Sequence, residues 1–295
     1  MSKEKNKKVF ALAAIIITVL FWGYSFVSTK IVLNELPPIT IAFFRQVIAA
    51  VILVIFLLIK KLFVRMPVKD VLLLAASSFF GIVLYFLFEN MGLKYTTASN
   101  GSIIVAAVPI FTLVTESLFY KFKITSRVIT CVVVSVIGVF LVIFEKGLNF
   151  SSGTTKGNLL MIGAMVVWVI YTIICKSFAG KYKGIVITAY QMIAASILFI
   201  PFIIPEIDKW HGISAYSAGN LLYLAIFCSA LAYYLYNFSV KTLGATVSSM
   251  FLNLIPVVSI IGGVMVLNES VSLIQLGGMV LIMLSLIFVR GKDPA

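Results

Sequence analysis

Ten apolar stretches of roughly 20 residues divide this chain and leave almost no sequence for anything else. A helix needs about 20 consecutive apolar residues to cross the hydrocarbon core of a bilayer. The stretches are continuously apolar, which favours helices over the alternating strands of a membrane barrel. Hydrophobic residues make up 62% of the chain and charged residues 11%, unlike a soluble protein. We therefore predict an all-α integral membrane protein with ten transmembrane helices, at about 9–30, 39–59, 71–91, 98–120, 125–144, 158–178, 185–205, 218–240, 244–267 and 271–289.

The positive charges lie between the apolar stretches rather than along one helix face. With the N-terminus inside, 17 lysines and arginines fall on the inner side and five on the outer side. This is the positive-inside pattern, and it explains the net charge of +13 without a nucleic-acid partner. We therefore predict a multi-pass protein of the cytoplasmic membrane, with both termini cytoplasmic and membrane lipids around it.

Residues 22–109 recur, more faintly, at 168–256, with offsets of 146 to 148 residues. The matching pairs are Trp22 with Trp168, Lys30 with Lys176, Thr40 with Thr188, Lys94 with Lys241, and Pro109 with Pro256. Each copy holds five predicted spans, and because five is odd, the second copy starts on the other side of the membrane. The sequence therefore predicts two inverted five-helix repeats, 1–146 and 147–295, an arrangement found in many secondary transporters.

Pro109 and Pro256 lie mid-way along matching apolar stretches. A proline inside a helix removes a backbone hydrogen bond and kinks or breaks the helix. Helices interrupted near mid-membrane in both halves point to a binding site at the repeat interface. The pattern favours a transporter, although duplication also occurs in structural and sensory membrane proteins, and chance can produce the Trp–Lys spacing in so biased a composition.

The start of the first copy carries residues typical of a known family. They are Trp22-Gly23-Tyr24-Ser25-Phe26, Lys30, Pro37-Pro38, Phe44-Arg45 and Ala49-Ala50. Together with the ten spans, the duplication and the mid-span prolines, they make the chain resemble the EamA family of the drug/metabolite transporter superfamily. The resemblance implies a ten-helix carrier with a central cavity, which exports amino acids or related small metabolites from bacterial cells.

The chain departs from that family at one place. Members often carry a Gly-Glu-like pair some way after the mid-span proline. Here the second half has Asn268-Glu269, whereas the first half has Phe122 between two lysines. A symmetric role for the two positions is therefore not expected, and we interpret Glu269 as a helix-end residue.

Three charged residues lie within predicted spans, where a charge costs about 2.5–3.5 kcal/mol on insertion scales. Arg45 and Glu89 lie at similar depths, so we predict that they approach each other or share a polar pocket. One interpretation is a buried pair that holds helices together; in the other, Glu89 faces the cavity and binds a substrate amine or a proton. Glu116 lies near the inner end of its span, close to basic loops, and Gln191 occupies the repeat position of Arg45.

Aromatic residues and amides complete the predicted site. Trp22 and Trp168 lie too deep in their spans for an interfacial belt, so their rings suit the wall of a cavity for an organic solute. Buried amides need partners, so Asn100 and Asn253 are expected to bond an opened backbone carbonyl or to face the cavity. The predicted substrate-binding residues are Trp22, Tyr24, Ser25, Tyr85, Glu89, Asn100, Trp168, Tyr171, Tyr233, Tyr234, Asn237 and Asn253. The predicted structural or coupling residues are Arg45, Glu116, Pro109 and Pro256.

These features predict a secondary transporter that works by alternating access, and not an enzyme. The sequence has no Walker A motif, no metal-binding pattern and no aspartate or histidine well inside a span, so we expect no catalytic residue, metal or cofactor. The expected substrate is a small organic metabolite, most of all an amino acid or a derivative, and a homodimer is left open. The alternatives are an exporter of cationic drugs with the same fold, and a channel or receptor, for which no repeated ring of charge is evident.

Overall fold

A computed structural model describes residues 2–120, 126–144, 153–178, 180–243 and 251–289. Most of these residues are helical, and none of them forms a β-strand. The principal helices are α1 (Ser2–Val32), α2 (Pro38–Ile59), α3 (Val68–Tyr95), α4 (Ala98–Val105), α5 (Val108–Tyr120), α6 (Ser126–Ile143), α7 (Gly153–Lys176), α8 (Gly184–Leu198), α9 (Ile200–Lys209), α10 (215–243), α11 (Ile255–Leu267) and α12 (Leu273–Val289).

Length and composition make this a multi-pass membrane protein. Among the described residues, five helices are long and apolar enough to span a bilayer: Asn6–Val32, Pro38–Ile59, Val68–Tyr95, Gly153–Cys175 and Ala215–Tyr236. The pair α8 and α9 qualifies as a sixth span if its 44° bend is allowed. The remaining apolar helices are shorter: Ala98–Thr112, Ile129–Ile143, Ile255–Leu267 and Leu273–Ser285. The expectation of an all-α membrane protein is confirmed, while the count of ten spans stays a prediction.

Two of the predicted spans are not single straight helices. The stretch predicted at 98–120 is divided between α4 and α5, with Ala106 and Ala107 in a turn. The stretch predicted at 185–205 bends after Leu198 and continues to Lys209. Both changes have the same physical cause: a proline lacks the backbone N–H that would continue the helix, so a new helix begins close to it.

The internal repeat is visible in where helices begin. α2 and α8 begin 146 residues apart, at Pro38 and Gly184. α3 and α10, α5 and α11, and α6 and α12 each begin 147 residues apart. α3 and α10 also share a rarer feature, a π-helical segment within the helix, at Phe79–Leu84 and Leu224–Leu231. The two halves therefore fold alike, whereas their inversion stays a prediction.

The breaks before the two prolines also match. Ala106-Ala107 precede Val108-Pro109 in the first half, and Asn253-Leu254 precede Ile255-Pro256 in the second. In each half the proline stands in the first turn of the second helix, where the missing N–H would have no intrahelical partner. The predicted interruption thus occurs before both prolines, at corresponding places in the two halves.

Helices of one half pack on helices of the other. α1 packs on α10 and α11, and α7 packs on α3, α4 and α5. α2 packs on α8, and α6 packs on α12. The backbones of the last pair approach closely: a β-carbon placed on Gly138 would lie 2.7 Å from the carbonyl oxygen of Gly278. Small residues of this kind let membrane helices approach closely.

Glu269, which follows α11, joins the halves at the start of α4. Its carboxylate accepts hydrogen bonds from the backbone N–H of Ala98 at 2.7 Å, from that of Ser99 at 3.1 Å, and from the Ser99 hydroxyl at 2.7 Å. The first N–H groups of a helix have no intrahelical acceptor and carry partial positive charge, so a carboxylate stabilises them. The predicted helix-end role of Glu269 is confirmed, although the helix it caps lies in the other half.

Candidate substrate site

A cavity lies between the two halves of the chain, with about 700 Å³ of empty space that is in part open to solvent. Residues of both halves contribute to its wall, and so do residues beside both helix breaks. The lining residues are Trp22, Ser25, Phe26, Arg45, Tyr85, Phe86, Glu89, Val105, Ala106, Val108, Pro109, Trp168, Tyr233, Leu252, Asn253 and Ile255.

Nine of the residues that we predicted from the sequence line this cavity. They are Trp22, Ser25, Tyr85, Glu89, Trp168, Tyr233 and Asn253 from the predicted binding set, and Arg45 and Pro109 from the predicted structural set. They come from parts of the chain more than 200 residues apart, so the fold has brought them together. The wall is mainly apolar and aromatic, with few polar groups, as in typical sites for organic ligands.

Aromatic rings form two adjoining pairs in the wall. The rings of Trp22 and Tyr233 have centroids 5.4 Å apart, and those of Tyr85 and Trp168 have centroids 4.9 Å apart. Such tilted and edge-on contacts are the favourable arrangements for aromatic pairs. Trp22 is fixed further by its indole Nε1–H, which donates to the carbonyl oxygen of Cys228 at 3.0 Å. Each pair joins a residue of the first half to one of the second.

Glu89 brings a carboxylate to the wall, and its side chain is 5% exposed. The hydroxyl of Tyr85, one helical turn earlier in α3, donates to Oε1 of Glu89 at 3.0 Å. Among the described residues this neutral hydroxyl is the one hydrogen-bond donor to Glu89, so most of the acceptor capacity of the carboxylate is unused there.

Arg45 brings a guanidinium to the same wall, and its side chain is 3% exposed. Its Nε–H donates to the hydroxyl of Ser229 at 2.7 Å, and its Cζ lies 4.3 Å from the centre of the Phe86 ring. Within the described part of the chain, no ion pair joins Arg45 to Glu89 at 4.0 Å or less. Of the two predicted arrangements, the structure therefore has the shared pocket and not the direct pair.

Asn253 adds an unpartnered polar atom. It lies in the turn before Pro256 and lines the cavity, and its Oδ1 is buried with no hydrogen-bond partner among the residues that the structure describes. Buried polar atoms are usually satisfied, so an unsatisfied one at a cavity wall suits a ligand that donates a hydrogen bond. From the sequence we expected this amide either to bond an opened backbone carbonyl or to face the cavity, and it lies at the cavity wall.

Four residues of the predicted binding set do not line the cavity. Asn100 is fully buried elsewhere, where its Oδ1 accepts from Nε2 of Gln275 at 2.6 Å. The ring of Tyr24 packs edge-on against that of Tyr223, with centroids 5.6 Å apart. Tyr234 is 43% exposed on the outside of the bundle, because it is one residue from Tyr233 and so points about 100° away around the helix.

Tyr171 is the fourth of these residues. It stacks against Trp168 with a centroid distance of 5.0 Å and covers Gly81, in the π-helical segment of α3. Pro256, predicted as structural, is buried at the start of α11 and does not line the cavity either. The side chains of Asn237 and Glu116 lie outside the described residues.

Seven lining residues were absent from the sequence prediction: Phe26, Phe86, Val105, Ala106, Val108, Leu252 and Ile255. Most of them flank the two helix breaks, so proximity to Pro109 and Pro256 was the signal that could have found them. Phe86 is next to Tyr85, yet both face the site. No signal marked Ser229, because a serine within a helix commonly bonds its own backbone.

Comparison with known proteins agrees with this architecture. The sequence model of the EamA-like transporter family matches the chain twice, at residues 9–144 and 155–291. An uncharacterized transporter of Archaeoglobus fulgidus is 30% identical over 97% of this chain and 99% of its own length. A probable terminal-alkyne amino-acid exporter of Streptantibioticus cattleyicolor is 22% identical over 88% of this chain and 86% of its own. A crystal structure with 15% identity covers 95% of this chain and 96% of its own, with a TM-score of 0.66, which shows a shared fold.

Proposed function

Because the chain belongs to the EamA-like transporter family, we propose that it is a secondary transporter that moves amino acids or their derivatives across the cytoplasmic membrane. The observation that carries the proposal is the cavity between the halves, which one guanidinium and one carboxylate line; among the described residues no ion pair joins the two at 4.0 Å or less. A solute with both charges would satisfy both groups.

The geometry supports a specific binding mode. The ammonium group of an amino acid would bind Glu89, and its carboxylate would bind Arg45, the residue type best suited to carboxylates. The Trp22–Tyr233 and Tyr85–Trp168 ring pairs would contact an apolar side chain. Ser229, Phe86 and Tyr85 act as positioning residues, since they hold the two charged groups with neutral partners and so keep them available.

Alternating access is the mechanism that the repeat favours. In the proposed arrangement, ten spans form two inverted repeats with both termini cytoplasmic, and the cavity lies where a helix of each half is interrupted. Similar halves in opposite orientation can exchange conformations, so that one cavity opens to either side in turn. A proton gradient or the solute gradient would supply the driving force, and export is the proposed direction because the named relative is an exporter.

An exporter of lipophilic cations is the second candidate. Glu89 and the aromatic wall favour it, because a carboxylate and ring faces both attract organic cations. Arg45 in the same wall opposes it, since a second positive charge would be repelled. The two candidates therefore differ in whether Arg45 helps or hinders binding.

Counterflow in proteoliposomes tests the proposal. Vesicles containing purified protein and preloaded with unlabelled phenylalanine or leucine should take up the labelled amino acid faster than empty vesicles. Glu89→Gln should abolish this exchange, whereas Asp208→Asn, which removes a charge from an exposed position, should leave it unchanged. Labelled tetraphenylphosphonium in the same assay tests the second candidate.

Three outcomes distinguish the two candidate functions. Exchange of an amino acid that needs both Glu89 and Arg45 supports the proposal. Exchange of the cation, enhanced by Arg45→Gln, would favour the second candidate. Normal amino-acid exchange by Glu89→Gln at every pH would remove Glu89 from the site.

A further inference from the structure

Three glutamates at one end of the bundle each hold the start of a helix in the opposite half. Glu206, 7% exposed, accepts from the backbone N–H of Thr40 at 2.7 Å, from that of Ile39 at 3.3 Å, and from the Thr40 hydroxyl at 2.9 Å. The capping position of α2 is occupied by Pro37, which offers no polar side chain. Glu206 in the second half therefore supplies the cap that α2 in the first half lacks.

Glu35 makes the same kind of contact in the other direction. Its carboxylate accepts from the backbone N–H of Ser214 at 2.6 Å and from the hydroxyls of Ser214 and Ser217, both at 2.7 Å. Ser214 caps α10, so a residue of the first half holds a helix start in the second. With Glu269 on α4, three carboxylates cross between the halves, and all act on helix N-termini, where negative charge is favoured.

The three contacts lie at the same end of the bundle. Lys30, near the end of α1, donates from Nζ to the carbonyl oxygens of Leu93 at 2.8 Å and Thr96 at 2.7 Å, which joins the end of α1 to the corner between α3 and α4. Glu35 follows Lys30 by five residues, and Ala98 follows Thr96 by two. The distribution of basic residues predicts that this end faces outward.

The other end of the bundle has one comparable contact among the described residues. Asp70, at the start of α3, accepts from Nζ of Lys181 at 3.1 Å and from the Tyr182 hydroxyl at 2.6 Å. At an offset of 147 residues, Glu35 corresponds to Tyr182 and Ser217 corresponds to Asp70. The Glu35–Ser217 contact thus has a repeat counterpart at the opposite end, with acid and hydroxyl exchanged.

Glu206 and Glu269 have no such counterparts. At offsets of 146 to 148 residues from Glu206, the first half reads Leu-Ile-Lys at 58–60, and from Glu269 it reads Lys-Phe-Lys at 121–123. No carboxylate stands at either place. Among the described residues, two of the three carboxylate caps therefore exist at one end only, so in this part of the chain the contacts at the two ends are unequal.

We propose that Glu35, Glu206 and Glu269 form a latch that keeps this end closed in the ligand-free protein, so that the carrier opens first at the end of Asp70. The inference rests on the proposed transport function for its meaning. All three contacts join the first half of the chain to the second, so separating the halves at this end would break all three. A charged acceptor holding several backbone N–H groups is among the stronger hydrogen-bonding arrangements in proteins.

Hydrogen–deuterium exchange on the purified full-length protein, without substrate, tests the latch. If each glutamate only caps its own helix, removing one of them frees one helix start. If the three form a latch, removing one of them frees all three helix starts. Glu206→Gln should accelerate amide exchange at 39–41 and also at 98–100 and 214–217, by about tenfold or more if one charge-assisted hydrogen bond is lost. Exchange at 68–71, the helix start beside Asp70, should stay unchanged.

The control is Asp208→Asn, two residues further along in α9, which should leave all of these amides unaffected. Glu269→Gln provides an independent test and should accelerate 39–41 in return. Acceleration confined to 39–41, or equal acceleration at 68–71, would overturn the latch, since the first is a local cap and the second a general loss of stability. Because no substrate is present, this result is independent of the counterflow assay, and either proposal can fail alone.

Discussion

Gly81 offers a test of how tightly the two halves pack beside the cavity. A β-carbon at Gly81 would overlap Cδ2 and Cγ of Tyr171 and come within 2.8 Å of its Cβ. Rotating the ring cannot relieve the last contact, because Cβ is fixed to the backbone of α7. Gly81→Ala must therefore push α3 away from α7, or strain both.

The size of the effect follows from two opposing contributions. Overpacking a well-filled interior costs about 1–3 kcal/mol. Replacing glycine by alanine within a helix returns about 0.5–1 kcal/mol. Gly81→Ala should therefore lower the free energy of unfolding by about 1–2 kcal/mol. Gly219→Ala, an identical change at an exposed site in α10 with no atom within 4 Å, should leave it unchanged or raise it slightly.

Denaturant or thermal unfolding of the detergent-solubilised protein measures both variants. A second measurement localises the cause: in a Tyr171→Ala background, Gly81→Ala should cost less, because the two overlapping ring atoms are gone and only the Cβ contact remains. Contacting residues show coupling of this kind, on the order of 0.5–3 kcal/mol. Equal stability of the Gly81 and Gly219 variants, or an unchanged cost in the Tyr171→Ala background, would refute the packing argument.

Two further predictions concern polar contacts. Ser229→Ala should free the Arg45 guanidinium and raise the KM for amino-acid exchange several-fold, with little change in maximal rate. Ser229→Thr, which keeps the hydroxyl, should retain the wild-type KM. An unchanged KM of Ser229→Ala in counterflow would contradict the positioning role. Hydrogen bonds, first of all from the Ser214 hydroxyl, lower the pKa of the Glu35 carboxyl. Its contribution to stability is therefore complete above the ordinary carboxyl pKa and is lost as the pH falls through the lowered value. The Tm difference between wild type and Glu35→Gln should be largest near neutral pH and vanish in acid. A Tm difference that grows on acidification would contradict this pH dependence.

Charge in apolar surroundings was the most reliable sequence signal for the site. Arg45 and Glu89 both had to avoid lipid, and since their depths matched, a shared pocket could be predicted. The sequence could not predict which uncharged aromatic residues face the cavity, because lipid and an aromatic cavity present similar surfaces to a tyrosine. Tyr233 and Tyr234 are chemically identical neighbours, yet one lines the cavity and the other is 43% exposed.

Contacts between the halves were hidden from the sequence for a different reason. Carboxylates near the ends of spans have access to water, so nothing in the hydropathy pattern marks Glu35 or Glu206 as unusual. Their partners are backbone N–H groups more than 160 residues away, which every helix start provides. Only Glu269 drew notice, through a family resemblance, and its helix-end role was predicted without the helix it serves.

The exchanged acid and hydroxyl at the two ends make the halves complementary, so that neither can substitute for the other. In a hypothetical chain made of two copies of the first half, Glu35 of each copy would face an aspartate, the counterpart of Asp70, where Ser217 now stands. Two carboxylates at hydrogen-bond distance cannot both be ionised, so one would have to take up a proton at each end. Two copies of the second half would bring tyrosine to serine at this contact and leave the contact without a carboxylate at either end. The two copies share their fold, but this contact at either end depends on the differences between them.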